Sequence, residues 1–88
     1  MNTPEKNQML FVQLISMFHA ASMQHMGKIK NPMTEKIEKK LDEAQISIDI
    51  LDMLKEKCKN NLSSEEEKFL QNVIQELKLN FVEEQSKK

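Results

Sequence analysis

The sequence contains few of the residues that cross-link small domains or form tight turns. Its 88 residues include one cysteine, one glycine, two prolines, and no arginine, tryptophan or tyrosine. The single cysteine, Cys58, excludes a disulfide within the chain, and a free thiol is typical of the reducing cytoplasm. The shortage of glycine and proline argues against an all-β fold, which needs many turns. We therefore expect one all-α domain located in the cytoplasm.

The longest apolar run, at residues 9–17, lacks the pattern of a membrane or export segment. Gln13 and Ser16 interrupt it, and Lys6 is the only lysine that precedes it. A membrane-spanning helix needs about 20 mostly apolar residues, and a signal peptide begins with a basic segment. The run therefore predicts a folded helix and no membrane association.

Residues that begin or end helices divide the chain into three predicted helices. Pro4 suits the first position of a helix, and Gly27 suits the left-handed position that follows one. Asn60 has the same role after the second helix, and Ser63 with Glu66 forms a capping box that begins the third. The predicted helices span about residues 4–26, 37–59 and 64–82, and residues 83–88 are expected to form a disordered tail.

Positions at about 100° intervals around each helix predict which side chains form the core. Helix 2 is unusual, because its apolar residues form two adjacent faces and leave only a third of its surface polar. Helices 1 and 3 each have one main core-facing arc, formed by Leu10, Phe11, Leu14, Ile15, Met17, Phe18 and Ala21 in helix 1 and by Phe69, Leu70, Val73, Ile74, Leu77 and Phe81 in helix 3.

The second apolar face of helix 2 favours self-association. This face consists of Ile46, Ile50, Met53 and Leu54. Burial of these four side chains contributes roughly 6–12 kcal/mol as an upper bound, and each copy of a symmetric dimer supplies one such face. The cost of association is about 4–15 kcal/mol. We expect a homo-oligomer, with a dimer favoured; the alternative is a compact monomer in which helix 1 covers both faces. The predicted oligomer interface consists of Met9, Val12, Met23, Ile46, Ile50, Met53 and Leu54.

Three stretches of the sequence resemble a known family. They are Gly27 with N-P-M-T at 31–34, I-D-I-L-D-M-L-K-E-K at 48–57, and N-L-S-S-E-E-E at 61–67. Through these motifs residues 11–82 resemble the bacterial family called domain of unknown function 1844. The resemblance implies a small bacterial cytoplasmic helical protein and assigns no activity. Glu35 and Asn60 stand where the family commonly has glycine, and Cys58 where it has threonine.

Two groups of potential metal ligands have simpler structural interpretations. His19 and His25 are six residues apart, a rotation of about 240° around one helix, so one helix cannot aim both at one metal, and nothing in the spacing brings Cys58 to either of them. The seven methionines contain thioethers that suit copper(I). Methionine more often fills cores and adaptable interfaces. We therefore expect no metal and no other cofactor.

Two clusters of charge remain. An acidic ridge on helix 2 is by default a solvated face, and its functional interpretation is a docking strip for a basic partner. A lysine cluster around the first turn is either a solvated turn or a set of phosphate contacts. The ridge consists of Asp42, Asp49, Asp52 and Glu56, and the cluster of Lys28, Lys30, Lys36, Lys39 and Lys40.

The sequence favours an association protein over an enzyme. A chain with one glycine has no phosphate-cradling loop, and its length leaves little room for both a core and a concave site. We expect no catalytic residue. The primary hypothesis is a protein-interaction or scaffolding module that acts through self-association and apolar helix faces. The alternative is a nucleic-acid- or ribosome-associated accessory protein that uses the lysine cluster at residues 28–40.

Overall fold

A computed structural model describes residues 3–87 of the chain. Within this range the chain forms three helices and no strand, so the predicted all-α, three-helix fold is confirmed. The helices are α1 (Thr3–His25), α2 (Leu41–Lys57) and α3 (Ser64–Ser86).

The helices run up, down and up, so that α1 and α3 are parallel and α2 is antiparallel to both. Gln8 Nε2 donates a hydrogen bond to Glu65 Oε2 at 3.3 Å, and Lys28 Nζ lies 2.9 Å from Glu83 Oε1. These pairs join the beginnings and the ends of α1 and α3. Each helix packs against the other two.

The core lies where the three helices meet. The predicted arc of α3 is confirmed, because four of its members are buried and its two phenylalanines pack against them. From α1 only Ile15 is a buried apolar residue, with Met26 just beyond the helix. The buried apolar residues are Ile15, Met26, Ala44, Ile48, Leu51, Leu70, Val73, Ile74 and Leu77.

The capping box that begins α3 is present in both directions. Ser63 Oγ accepts a hydrogen bond from the Glu66 amide at 3.1 Å, and the Ser63 amide donates to Glu66 Oε1 at 2.8 Å. Two amides that the helix itself leaves without partners are thus satisfied. This local signal places the start of α3 correctly from sequence.

The predicted start of helix 2 at residue 37 is wrong, because α2 begins at Leu41. The preceding residues form a hydrogen-bonded turn. The Asn31 amide donates to the Lys36 carbonyl at 2.9 Å, and the Lys40 amide donates to the His25 carbonyl at 2.6 Å. These bonds hold residues 31–40 in a non-helical turn that passes the end of α1. Helix propensity and hydrophobic periodicity do not predict such contacts between distant residues.

Within the described part of the chain, three residues adopt left-handed backbone conformations at turns. Gly27 has φ 82°, Asn60 has φ 72°, and Glu35 has φ 59°. The first two match the predicted left-handed positions. Glu35 shows that the turn keeps a left-handed residue where the resemblance implies glycine, so its side chain adds a conformational cost of about 1–2 kcal/mol.

The predicted disordered tail is also wrong for residues 83–86, because α3 continues to Ser86; Lys88 lies outside the described residues. Glu84 explains the extension. Its buried carboxylate lies 2.8 Å from Lys28 Nζ and 3.0 Å from Lys87 Nζ, and its carbonyl accepts a hydrogen bond from Lys39 Nζ at 2.7 Å. The contacts with Lys28 and Lys39 connect the end of α3 to the first turn.

We predict that replacing Gly27 with alanine lowers the free energy of unfolding by about 1–2 kcal/mol. An added Cβ meets no closer atom than Lys39 Cβ at 3.6 Å, so the cost is conformational and not steric. Urea unfolding at fixed protein concentration measures it. Glu35→Gly is the reciprocal control and should unfold at an equal or higher urea concentration. Equal stability of Gly27→Ala and the parent chain would contradict the prediction.

We predict that acid lowers the free energy of unfolding because the Glu84 carboxylate becomes protonated. Hydrogen bonds donated by Lys28, which has the larger effect, and by Lys87 lower the pKa of the Glu84 carboxyl from 4.5 to about 2. A lowered folded-state pKa means that the stabilisation is complete above about pH 4.5 and is lost as pH falls towards about 2. Glu84→Gln should therefore flatten the pH dependence of the urea midpoint across this window.

Glu56→Gln is the matched control for Glu84→Gln, because Glu56 is exposed. This control should keep the acid-dependent decline of the parent chain. If Glu84→Gln retained the same decline, the stabilising role of the buried carboxylate would be refuted.

Candidate association surface

Helix α1 exposes a stripe of apolar side chains. Leu10, Leu14 and Met17 are exposed, Met17 to 63%, although the sequence places all three in the core-facing arc. This expectation is wrong, because the apolar belt of α1 is wider than its two neighbours cover. Ala21 continues the stripe, which therefore has the alternating spacing of four and three residues typical of a helix-pairing seam.

Helix α2 exposes a second stripe with the same kind of spacing. Ile46 is 57% exposed, Met53 is exposed and Ile50 is half-buried between them. On the other side of α2, Ala44, Ile48 and Leu51 are buried in the core. The predicted two-faced character of helix 2 is thus visible in the structure, with one face covered and the other largely open.

Both stripes point away from α3. His19 marks the side of α1 that faces α3, because its Nε2 lies 3.4 Å from Glu76 Oε1. Asp52 marks the corresponding side of α2, since its carboxylate lies 3.1 Å from Lys78 Nζ. At about 100° per residue, the α1 stripe lies about 140–180° from His19 and the α2 stripe about 100–160° from Asp52. The stripes therefore share the face of the α1–α2 pair that α3 does not cover.

The two stripes also lie at the same height along the molecule. The hydrogen bond from the Lys40 amide to the His25 carbonyl sets the end of α1 beside the start of α2. Equal rises along antiparallel helices then bring Ile46 to a level between Met17 and Ala21. We call this combined surface the outer face; it consists of Leu10, Leu14, Met17, Ala21, Ile46, Ile50 and Met53.

The outer face contains little charge although the chain is highly charged. Residues 7–27 contain no Asp, Glu, Lys or Arg, whereas 31% of the whole chain is charged. The exposed polar residues that accompany the α1 stripe, such as Gln13, are neutral. On α2 the stripe ends in Glu43 and Lys57, both exposed. A surface depleted of charge and enriched in methionine and other apolar residues has the composition of an interface core.

The structure divides the seven predicted interface residues among three locations. Ile46, Ile50 and Met53 lie together on the outer face. Met23 and Leu54 are partly buried and pack against the core, so the chain already covers much of them. Met9 is exposed and Val12 half-buried, and both lie around the α1 cylinder towards α3. Two signals in the sequence point to the exposed α1 stripe: the four-three spacing of residues 10, 14, 17 and 21, and the absence of charge around it.

The acidic ridge stays largely exposed to solvent. Asp52 pairs with Lys78 on α3, and Asp49 Oδ1 accepts a hydrogen bond from Gln45 Nε2 at 2.8 Å. Asp42 and Glu56 are exposed. Within residues 3–87 no group of three or more His, Cys, Asp or Glu side chains has the arrangement of a metal site.

The lysine cluster is partly neutralised by the end of α3. Lys28 contacts Glu83 at 2.9 Å and Glu84 at 2.8 Å, and the hydrogen bonds that it donates to the carboxylates of Glu84 and Glu83 raise its pKa. Lys39 Nζ lies 3.4 Å from Glu84 Oε1. Two of the five lysines therefore have structural partners. Among the described helices, none has both the length and the apolar character needed to cross a membrane.

Comparison with known proteins identifies a family for the chain. A family model described as a domain of unknown function, DUF1844, matches residues 8–83. The chain belongs to this family. The match confirms the resemblance inferred from sequence and includes the whole outer face, and the family's description states no activity. No curated protein and no solved structure matches the chain.

We predict that neighbouring residues of α1 differ sharply in their effect on the stability of the single chain. Ile15→Ala should lower the free energy of unfolding by about 2–5 kcal/mol, because Ile15 is fully buried. Met17→Ala, two residues away, should change it by less than about 0.5 kcal/mol, because this side chain is mostly exposed. Urea unfolding in dilute solution measures both. Similar losses would show that Met17 belongs to the core.

Proposed function

We propose that the chain is a protein-association module that binds a second copy of itself through the outer face. The observation that carries the proposal is the outer face itself: seven apolar side chains in two helical stripes, largely open in the single chain and almost free of charge. An enzymatic role has no comparable support, and two lysines of the alternative nucleic-acid surface already have carboxylate partners.

The charge pattern favours a second copy as the occupant. Two copies of a two-fold dimer bring the same patch together, so a patch dominated by one sign of charge would repel itself. The centre of the outer face avoids this problem, because its α1 half is neutral and its α2 half ends in one acidic and one basic residue, Glu43 and Lys57. The acidic Asp42 and Asp49 lie at the rim, about 20° and 40° from Met53 around α2. The same face is thus suited to contact its own copy.

The energetics support a dimer that responds to concentration. Six large side chains on the outer face, about half exposed, each contribute about 1 kcal/mol on burial, or about 12 kcal/mol for two copies as an upper bound. The cost of association is about 4–15 kcal/mol. The projected area of the outer face is about 500 Å² on each copy, which is towards the small end of specific protein–protein interfaces. We therefore expect exchange between monomer and dimer at accessible concentrations.

Sedimentation equilibrium from micromolar to millimolar protein tests the proposal. The parent chain should change from monomer to dimer across this range. The double variant Met17→Gln with Ile46→Gln should raise the dissociation constant by about 10- to 100-fold, since four apolar side chains leave the interface of each dimer.

The matched control is Leu79→Gln with Val82→Gln on α3. Leu79 is 67% exposed and Val82 61% exposed, close to the values for Met17 and Ile46, but they lie outside the outer face. This control should dimerise like the parent chain. A parent chain that stays monomeric throughout, or a control that weakens the dimer as much as the outer-face variant, would refute the proposal.

A further inference from the structure

We infer that the two copies pack with α1 against the partner's α1 and α2 against the partner's α2, each pair antiparallel, and that Glu43 of each copy faces Lys57 of the other. The inference rests on the proposed self-association and specifies its geometry. It concerns residues that make no ion pair within the described part of a single chain.

Two face-to-face arrangements have two-fold symmetry. When the symmetry axis lies across the helices, α1 packs on the partner's α1 in the antiparallel direction, and α2 packs on the partner's α2. When the axis runs along the helices, α1 packs on the partner's α2 instead. Both arrangements bury the apolar stripes, so other features of the outer face must select between them.

Side-chain size favours the axis across the helices. With the axis midway between Leu14 and Met17, these two residues face each other across the interface. The same symmetry sets Leu10 opposite the partner's Ala21, so a large side chain meets a small one at both ends of the stripe. Alternation of large and small residues across facing positions gives close packing of helices.

Charge gives the stronger argument for the same arrangement. The hydrogen bond between Lys40 and His25 brings the midpoint of the α1 stripe to the level of Ile50. Glu43 lies seven residues before Ile50 and Lys57 seven residues after it, so all three lie on one side of α2. An axis through this level therefore sets Glu43 opposite the partner's Lys57, and Lys57 opposite the partner's Glu43.

The other arrangement leaves both charges without partners. With the axis along the helices, Glu43 lies at the level of the partner's Ser22 and Lys57 at the level of the partner's Gln8, within the uncharged stretch of residues 7–27. The acidic Asp49 lies at the rim of the outer face, about 100° from Ile50 around α2. In the inferred arrangement it reaches the level of the partner's Asp49, but its exposure to solvent screens this repulsion. The termini of the α2 stripe thus orient the second copy, while the apolar stripes supply the affinity.

A charge-reversal cycle tests the contact. Lys57→Glu should raise the dissociation constant about three- to tenfold, because two like-charge contacts replace two ion pairs in each dimer, and Glu43→Lys should have a similar effect. The double variant should restore the parent value. Glu43 and Lys57 are about 21 Å apart along one helix, so restoration reports contact between copies and not within one chain.

Disulfide formation between copies tests the orientation directly. In a Cys58→Ser background, a Leu10→Cys chain mixed with an Ala21→Cys chain should form a mixed disulfide, and neither chain should form one with itself. In the inferred geometry two copies of residue 10 are about 16 Å apart, far beyond the roughly 7 Å limit between Cα atoms for a disulfide.

The outcomes separate the inference from the proposed function. A mixed disulfide between positions 10 and 21, together with rescue by the double charge reversal, supports the geometry. A mixed disulfide between Ala21→Cys and Ile46→Cys chains, or a dimer without charge rescue, overturns the geometry and leaves self-association in place. A chain that sediments as a monomer at every concentration overturns both.

Discussion

The organisation of this chain depends on how much helical surface three helices can cover for one another. Each helix contacts two neighbours, which cover only part of its circumference. In α3 the predicted apolar arc is no wider than that covered part, and the exposed Leu79 and Val82 lie outside this arc. In α1 and α2 the apolar residues extend further, and the excess lies on the side that α3 does not reach. The outer face is the direct consequence.

Local signals in the sequence predict most of the fold. The capping box of Ser63, the left-handed positions at Gly27 and Asn60, and the periodicity of α3 each depend on residues close together in the chain. The errors involve distant contacts. Helix α2 starts late because Lys40 bonds to His25, and α3 continues because Glu84 meets Lys28. No window of sequence around residue 37 or residue 83 contains that information.

The candidate surface shows the same division between local and distant information. The excess of apolar surface on helix 2 follows from periodicity alone, and the structure leaves much of that face open. The corresponding stripe on α1 is misassigned from sequence, because the centre of an apolar arc need not be the side that packs. Ile15 and Ser22 are buried, whereas Leu10 and Met17, on the same broad arc, are exposed. The direction of packing is fixed by the neighbouring helices.

The central claim is that the outer face is covered only when a second copy is present. Methyl NMR of the seven methionines tests it within one sample, because Met17 and Met53 lie on the outer face and Met33, which is 90% exposed, lies in the first turn. On concentration from dilute solution, the methyl signals of Met17 and Met53 should shift progressively while that of Met33 stays constant. Unchanged positions for Met17 and Met53 at the highest attainable concentration would contradict the account.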